Sequence, residues 1–303
     1  MKPIFMGSGV ALITPFNEDG EIDYDVFSRL IEFQIKNKTD AIIVCGTTGE
    51  GSTLTVEERL RLFKLAVKQV SGRVPVIAGT GSNSTSFSAE LMKEAEKCGI
   101  DAHLSVTPYY NKASQDGIVA HYYKLADTGS KPVIVYNVPS RTCVSVAPET
   151  YRELAKHSNI TAVKEADTSI AKLQKSIALC DGKLDFYIGN DDMISAATLL
   201  GCKGVISVLA NILPSFTHKL AYEGINGNIA LCREMQAAST DIIEALFSDV
   251  NPIPVKFAME QVYGISSVCR LPLCPTSIYN QEKLRLILNK YKTDFSLEMI
   301  NFS

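Results

Sequence analysis

The sequence predicts an α/β fold, a (β/α)8 TIM barrel with a C-terminal helical extension. Three observations predict it. Short Val- and Ile-rich runs alternate with helix-period segments as far as Ser207, and strands alternating with helices build βαβ units around a parallel sheet. The runs number eight, the count that closes such a sheet into a barrel. After Ser207 the alternation stops and only helix-like segments follow.

The first unit is expected as strand Val10–Thr14 and helix Tyr24–Lys36. Strand Ala41–Cys45 runs into Gly46-Thr47-Thr48-Gly49-Glu50-Gly51, and helix Val56–Val70 follows. Thr55 and Glu58 give that helix the capping-box form, in which each side chain satisfies a free backbone N–H of the other residue. The third unit is Val74–Ala78 and Ser86–Lys97. It closes on Lys97-Cys98-Gly99, a cation in the last turn and a glycine just beyond it. The next units are Ala102–Val106 with Gln115–Ala126, Val133–Tyr136 with Pro148–Lys156, and Thr161–Lys164 with Ile170–Ala178. Phe186–Ile188 with Met193–Leu200 and the strand Val205–Ser207 complete the set. Helices are then expected at Pro214–Glu223, Ile229–Phe247, Pro254–Tyr263 and Asn280–Lys290. The expected division is a catalytic barrel over 1–224 and a helical domain over 225–303.

Composition narrows the function classes. The 303 residues carry 30 Lys and Arg against 33 Asp and Glu, a net charge of −3. That balance lacks the basic footprint of a nucleic-acid binder. No apolar run reaches the ~18–20 residues needed to span a bilayer, and the N-terminus lacks the basic and apolar regions of a signal peptide. A cytoplasmic protein is expected. The eight cysteines are scattered without a Cys-x-x-Cys pair, so free thiols are expected. The four histidines are dispersed, and no zinc-type cluster is visible. Gly79-Thr80-Gly81-Ser82-Asn83-Ser84 starts like a dinucleotide loop but has Ser84 at the third glycine. Gly46 and Gly51 have phosphate-loop spacing, but Ser52 stands where a lysine is required.

In such a barrel chemistry gathers at the C-terminal ends of the strands. Lys164 ends the sixth run. Side chains alternate along a strand, so Lys164 shares a face with Ala162 and points into the mouth if Ala162 lines the interior. Burial there would lower the pKa of the amine. A neutral amine attacks a ketone carbonyl and forms a Schiff base. The competing structural explanation pairs Lys164 with Glu165 at the surface. Tyr136 ends the adjacent run and alternates inward with Ile134. Neighbouring strands are ~4.8 Å apart, so its phenol can meet the amine and shuttle the protons of Schiff-base chemistry. Thr47 and Thr48 sit in a glycine-rich loop that can hold a small carboxylate or orient Tyr136, or simply turn before a capped helix. Tyr109-Tyr110 suits an oligomer contact. The rigid fork of Arg141 suits a second carboxylate. Asp191-Asp192 has no third metal ligand nearby, and Asp191 is expected to cap a helix.

The motifs Gly46-Thr47-Thr48-Gly49-Glu50, Tyr109-Tyr110-Asn111, Tyr136-Asn137-Val138-Pro139-Ser140-Arg141-Thr142 and Val163-Lys164-Glu165-Ala166 occur in this order. Gly204-Val205-Ile206-Ser207 and Asn251-Pro252-Ile253-Pro254-Val255-Lys256 follow. This set resembles the dihydrodipicolinate synthase family, within the pyruvate-dependent class I lyases, and covers nearly the whole chain. The resemblance implies that Lys164 forms a Schiff base with pyruvate. It implies that Tyr136, Thr48 and Tyr110 make a proton relay, with Tyr110 entering from a neighbouring subunit, and that Thr47 belongs to the same site. Thr48 backbone would help hold the pyruvate carboxylate, and Gly189 and Ile206 would line its pocket. Arg141 would hold the carboxylate of L-aspartate 4-semialdehyde. No metal or organic cofactor and a homotetramer are implied. Many relatives are inhibited by lysine at a dimer-interface site. Asn83 and Tyr109 match that site, but Val56, Arg59 and Phe87 depart from it, so weak or absent lysine feedback is expected. The alternatives are N-acetylneuraminate lyase or a keto-deoxy sugar acid aldolase of the same superfamily, or a non-catalytic barrel that senses a keto acid.

Overall fold

Eight short apolar segments pair in parallel, each with its sequence neighbours, and the last pairs with the first. The result is a closed barrel in this computed structural model, which describes residues 2–294, with side chains to Tyr291. The strands are β1 (Gly7–Ala11), β2 (Ala41–Val44), β3 (Val76–Gly79), β4 (Ala102–Val106), β5 (Val133–Asn137), β6 (Ile160–Glu165), β7 (Asp185–Ile188) and β8 (Gly204–Ser207). The helices of the barrel layer are α1 (Tyr24–Lys36), α2 (Val56–Val70), α3 (Thr85–Glu96), α4 (Gln115–Ala126), α5 (Pro139–Thr142), α6 (Pro148–Leu154), α7 (Ile170–Cys180), α8 (Ile194–Leu199) and α9 (Pro214–Ile225). The C-terminal extension adds α10 (Ile229–Ala238), α11 (Thr240–Leu246), α12 (Ile253–Tyr263) and α13 (Ile278–Asp294). The last nine residues of the expected 225–303 segment lie outside the described residues. Among the described residues no helix is long and apolar enough to cross a membrane.

The alternation rule fixes what fills the barrel. Ala41 and Ile43, Ala102 and Leu104, and Ile134 and Ala162 form one interior cluster with Tyr136, Tyr187 and Ile206. Phe5 closes the bottom. Its ring stacks on Tyr187 with centroids 4.2 Å apart, and the Tyr187 hydroxyl donates to the Phe5 carbonyl at 2.8 Å. The helices bury their inner stripes against the outer strand faces. The capping box is present as the sequence indicates: Thr55 Oγ1 accepts from the Glu58 N–H and Glu58 Oε2 accepts from the Thr55 N–H.

Two expectations on element bounds are corrected, and one short helix is added. β1 begins at Gly7 and not at Val10, because the glycines that read as breakers are required there. Gly204 faces Gly7 across the β1–β8 seam, and a Cβ on Gly204 would lie 1.8 Å from the Gly7 carbonyl oxygen. Leu12, Ile13 and Thr14 are buried; the Leu12 N–H still donates to Ile43 of β2, but the Ile13 N–H donates to Asn211 Oδ1, and Thr14 Oγ1 donates to the Gly49 carbonyl at 2.7 Å. The single helix expected over Ile229–Phe247 is two, divided at Ser239. The hydroxyls of Ser239 and Thr240 both donate back to the Gln236 carbonyl, a competition that bends helices. The turn after β5 is the short helix α5, started by Pro139.

Candidate active site

Register brings the central pair together. Tyr136 on β5 and Lys164 on β6 are direct partners across the ladder. Both side chains are buried at the C-terminal end of the interior cluster. Lys164 Nζ lies 4.4 Å from the centroid of the Tyr136 ring, a distance at which the ring face attracts an ammonium. Gly189 follows β7 and leaves room for this lysine. A Cβ there would sit 3.0 Å from Lys164 Cε and 2.9 Å from Ala166 Cβ. Ile206 is fully buried in the same cluster.

Glu165 is not the partner of Lys164. Its carboxylate points outward, where it accepts from Asn137 Nδ2 and the Tyr151 hydroxyl at 2.7 Å each and from the Asp167 N–H at 2.8 Å. Burial raises its pKa, and those three donors oppose the rise. Asp191 departs from expectation in detail. It does not cap its own turn, whose first residue follows Asn190 with no side-chain cap. It caps the turn after β8 instead, accepting from the Ser207 hydroxyl and from the N–H groups of Val208 and Leu209. Burial raises the Asp191 carboxyl pKa, and Lys164 is among the groups that counter this. Among the described residues no cluster of His, Cys, Asp and Glu could hold a metal ion. Burial pushes the Cys45 thiol up to about 12, which favours the protonated form over the thiolate.

The Thr47-Thr48 loop is held from several sides. Glu50 adopts a left-handed conformation at φ 52°, and its buried carboxylate pairs with Lys256 Nζ of α12 at 2.6 Å. The other Glu50 oxygen accepts from the Arg270 N–H. Thr48 Oγ1 accepts from Asn251 Nδ2 at 3.0 Å. The Asn251 carbonyl in turn accepts from Arg141 Nη2 at 3.2 Å. One residue of the extension therefore spans the threonine loop and the arginine. The sequence reading quoted Asn251 within a motif but gave it no task. The one signal was a lone cation, Lys256, inside the apolar run Ile253-Pro254-Val255-Lys256-Phe257-Ala258-Met259.

A cavity of about 530 Å³ opens over this end of the barrel. Thr47, Tyr136 and Arg141 line it, together with Arg59, Asn83 and Tyr109. Tyr110 is not brought into the site by its own chain. It is 89% exposed, at φ 77°, on the loop after β4. The arrangement thus presents a phenol, the Thr47 hydroxyl and a guanidinium facing common space, with one buried primary amine against the phenol's ring. Such a set can bind a carboxylate and carry out amine–carbonyl chemistry.

The whole chain is similar to known proteins. The model of the dihydrodipicolinate synthetase family matches residues 4–291. The 4-hydroxy-tetrahydrodipicolinate synthase of Caldicellulosiruptor saccharolyticus is 48% identical over 289 residues, 95% of this chain and 98% of the relative. The crystal structure of dihydrodipicolinate synthase from Aquifex aeolicus superposes with a TM-score of 0.93 at 41% identity, covering 98% of this chain and 100% of that one. The chloride-inhibited enzyme from Acinetobacter baumannii, solved in complex with pyruvate, gives 0.92 at 38% identity, covering 94% and 98%. Matched along nearly its whole length by model, sequence and fold alike, the chain belongs to the dihydrodipicolinate synthetase family.

Proposed function

We propose that the chain is a class I aldolase-type lyase that condenses pyruvate with L-aspartate 4-semialdehyde, the 4-hydroxy-tetrahydrodipicolinate synthase reaction of diaminopimelate and lysine biosynthesis. The observation that carries the reading is the Lys164–Tyr136 pair, in register on neighbouring strands and in contact inside the barrel mouth. The Lys164 amine adds to the ketone carbon of pyruvate, and water leaves from the carbinolamine to give an iminium. Loss of a methyl proton gives the enamine. Its carbon bonds to the aldehyde carbon of the second substrate, whose oxygen takes a proton. The substrate's own amine then adds to the imine carbon, closes the ring and releases Lys164.

Each proton step needs a group that gives and then accepts, and a phenol does both. Tyr136 has this task beside the amine. Thr48 and a Tyr110 from a neighbouring copy extend the relay outward, with Thr47 in the same loop. The Thr48 backbone, Gly189 and Ile206 form the pyruvate pocket. Arg141, at the cavity wall, holds the carboxylate of the aldehyde substrate. The iminium is itself the electron sink, so the chemistry calls for no metal or organic cofactor. The proposed working form is a cytoplasmic homotetramer, as the resemblance implies, and the exposure of Tyr110 leaves it free to reach a neighbouring copy. The related sialic acid and keto-deoxy sugar acid lyases share the lysine and the tyrosine, and Arg141 favours the smaller carboxylate-bearing aldehyde.

The test is borohydride reduction in the presence of pyruvate, then peptide mass mapping. A pyruvate-derived mass on the Lys164 peptide is expected, and an unmodified peptide would overturn the mechanism. Turnover with L-aspartate 4-semialdehyde but not N-acetylmannosamine is expected to fix the second substrate. Lysine is expected to inhibit weakly or not at all in the same assay, and strong inhibition below a millimolar concentration would refute that.

A further inference from the structure

Asn251 belongs to the turn that leads into α12, yet its side chain ends on the threonine loop. It is 6% exposed, and its Nδ2 donates to Thr48 Oγ1 at 3.0 Å. Thr48 is buried as well. A hydroxyl has one proton and two acceptor lone pairs, so this bond fills one lone pair and leaves the proton uncommitted. Among the described residues neither the Thr48 nor the Tyr136 hydroxyl donates to an acceptor. The amide oxygen of Asn251 is buried with no partner. A stranded acceptor is destabilising, so packing alone would favour an apolar side chain at this position. What the amide contributes is its N–H.

The polarity of this bond bears on the proton relay proposed above, and the inference rests on the Thr48 step of that relay. Once the Tyr136 phenol has given its proton to the reacting centre, its oxygen must be reprotonated. The Thr48 O–H bond then breaks, its proton joins the Tyr136 oxygen, and a proton from the outer side reaches Thr48 through the second lone pair. An amide N–H aimed at Thr48 Oγ1 favours this order in two ways. It keeps the threonine from turning its proton toward Asn251, and it stabilises the negative charge that builds on Oγ1. We propose that Asn251 is a positioning residue that sets the direction of the Thr48 hydroxyl, and with it the direction of proton flow toward Tyr136. The amide keeps its own protons throughout. Its contact with Arg141 runs through the backbone carbonyl, so a change of side chain leaves that contact in place.

The test compares Asn251→Ala with Asn251→Asp by steady-state kinetics of the full-length protein at about pH 8, well above the ~3.9 of a free aspartate. An ionised carboxylate has the shape of the amide but can only accept, so it draws the Thr48 proton away from Tyr136. Asn251→Ala is expected to lower kcat about tenfold and Asn251→Asp about a hundredfold, with KM for both substrates within about threefold. A merely structural bond predicts the opposite order, because the carboxylate keeps a bond to Thr48 that alanine loses. An Asn251→Asp variant as active as Asn251→Ala, or more so, would overturn the proposal. If Asn251→Asp does not fold, Asn251→Ala in a Thr48→Val background decides. Action through Thr48 predicts kcat within about twofold of Thr48→Val alone, and a further loss of about tenfold refutes it. Thr48→Val also separates this inference from the reading beneath it. A kcat within about threefold of the unmodified protein would remove Thr48 from the relay and the proposal with it. A kcat lowered by Thr48→Val, with the alanine and aspartate order reversed, would remove the role of Asn251 alone.

Discussion

Lys164 meets Tyr136 at the face of its ring. Phenylalanine at 136 would keep that face and the packing while removing the one group that can give and take a proton. Tyr136→Phe is therefore expected to lower kcat by about 10²–10⁴-fold, the usual contribution of a general acid–base. KM for pyruvate is expected to stay within about threefold, which steady-state kinetics can check. A kcat within about threefold of the unmodified protein would place the relay elsewhere. Both residues were legible in the sequence because alternation along a strand fixes which side chains face inward. The alternative that pairs Glu165 with Lys164 at the surface fails because the same rule that sends Lys164 inward sends Glu165 into the outer layer, where Asn137 and Tyr151 receive it. Asp191 bonds to a loop sixteen to eighteen residues further on, a distance at which capping rules carry no information.

At the scale of elements, α12 is tied to the loop after β2 by the Lys256–Glu50 pair, in which both side chains are at most 1% exposed. Breaking such a pair from one side leaves a buried charge alone, at about 3–5 kcal/mol. Lys256→Met is expected to lose stability in that range by urea unfolding and to reduce activity further, since the same loop carries Thr47 and Thr48. A second element contact sets a pH dependence. His121 on α4 shares a hydrogen bond with Thr85 on α3 at 2.8 Å, and burial pushes its imidazole down to about 4. In the unfolded chain it titrates near ~6.5. Between these values the unfolded state binds the extra proton, so stability falls as pH drops from 6.5 toward 4. The shift corresponds to about 3 kcal/mol. His121→Asn is expected to lose about that much less stability than the unmodified protein between pH 7 and pH 4, as read by urea midpoints. Equal losses would show that the imidazole is not protected by burial.

At the scale of the whole molecule, the missing Cβ of Gly204 lets β8 approach β1 at the seam that closes the barrel, and the mouth is left with an exposed Tyr110. If a neighbouring copy completes the relay, activity must follow assembly. Dilution below the dissociation concentration is expected to reduce specific activity about tenfold or more in step with the sedimentation coefficient. A fully active monomer would remove Tyr110 from the mechanism. By itself the sequence determined the eight alternating units, the helical extension, the capping box and the inward face that carries Tyr136 and Lys164. All of these follow from periodicities and local hydrogen bonds within a few residues. Tertiary structure alone decided that β1 starts at Gly7, that Asn251 joins Thr48 to Arg141, and that Asp191 caps the turn after β8. Those facts depend on groups far apart in the chain, whose meeting is governed by barrel closure and packing and leaves no short-range pattern to read.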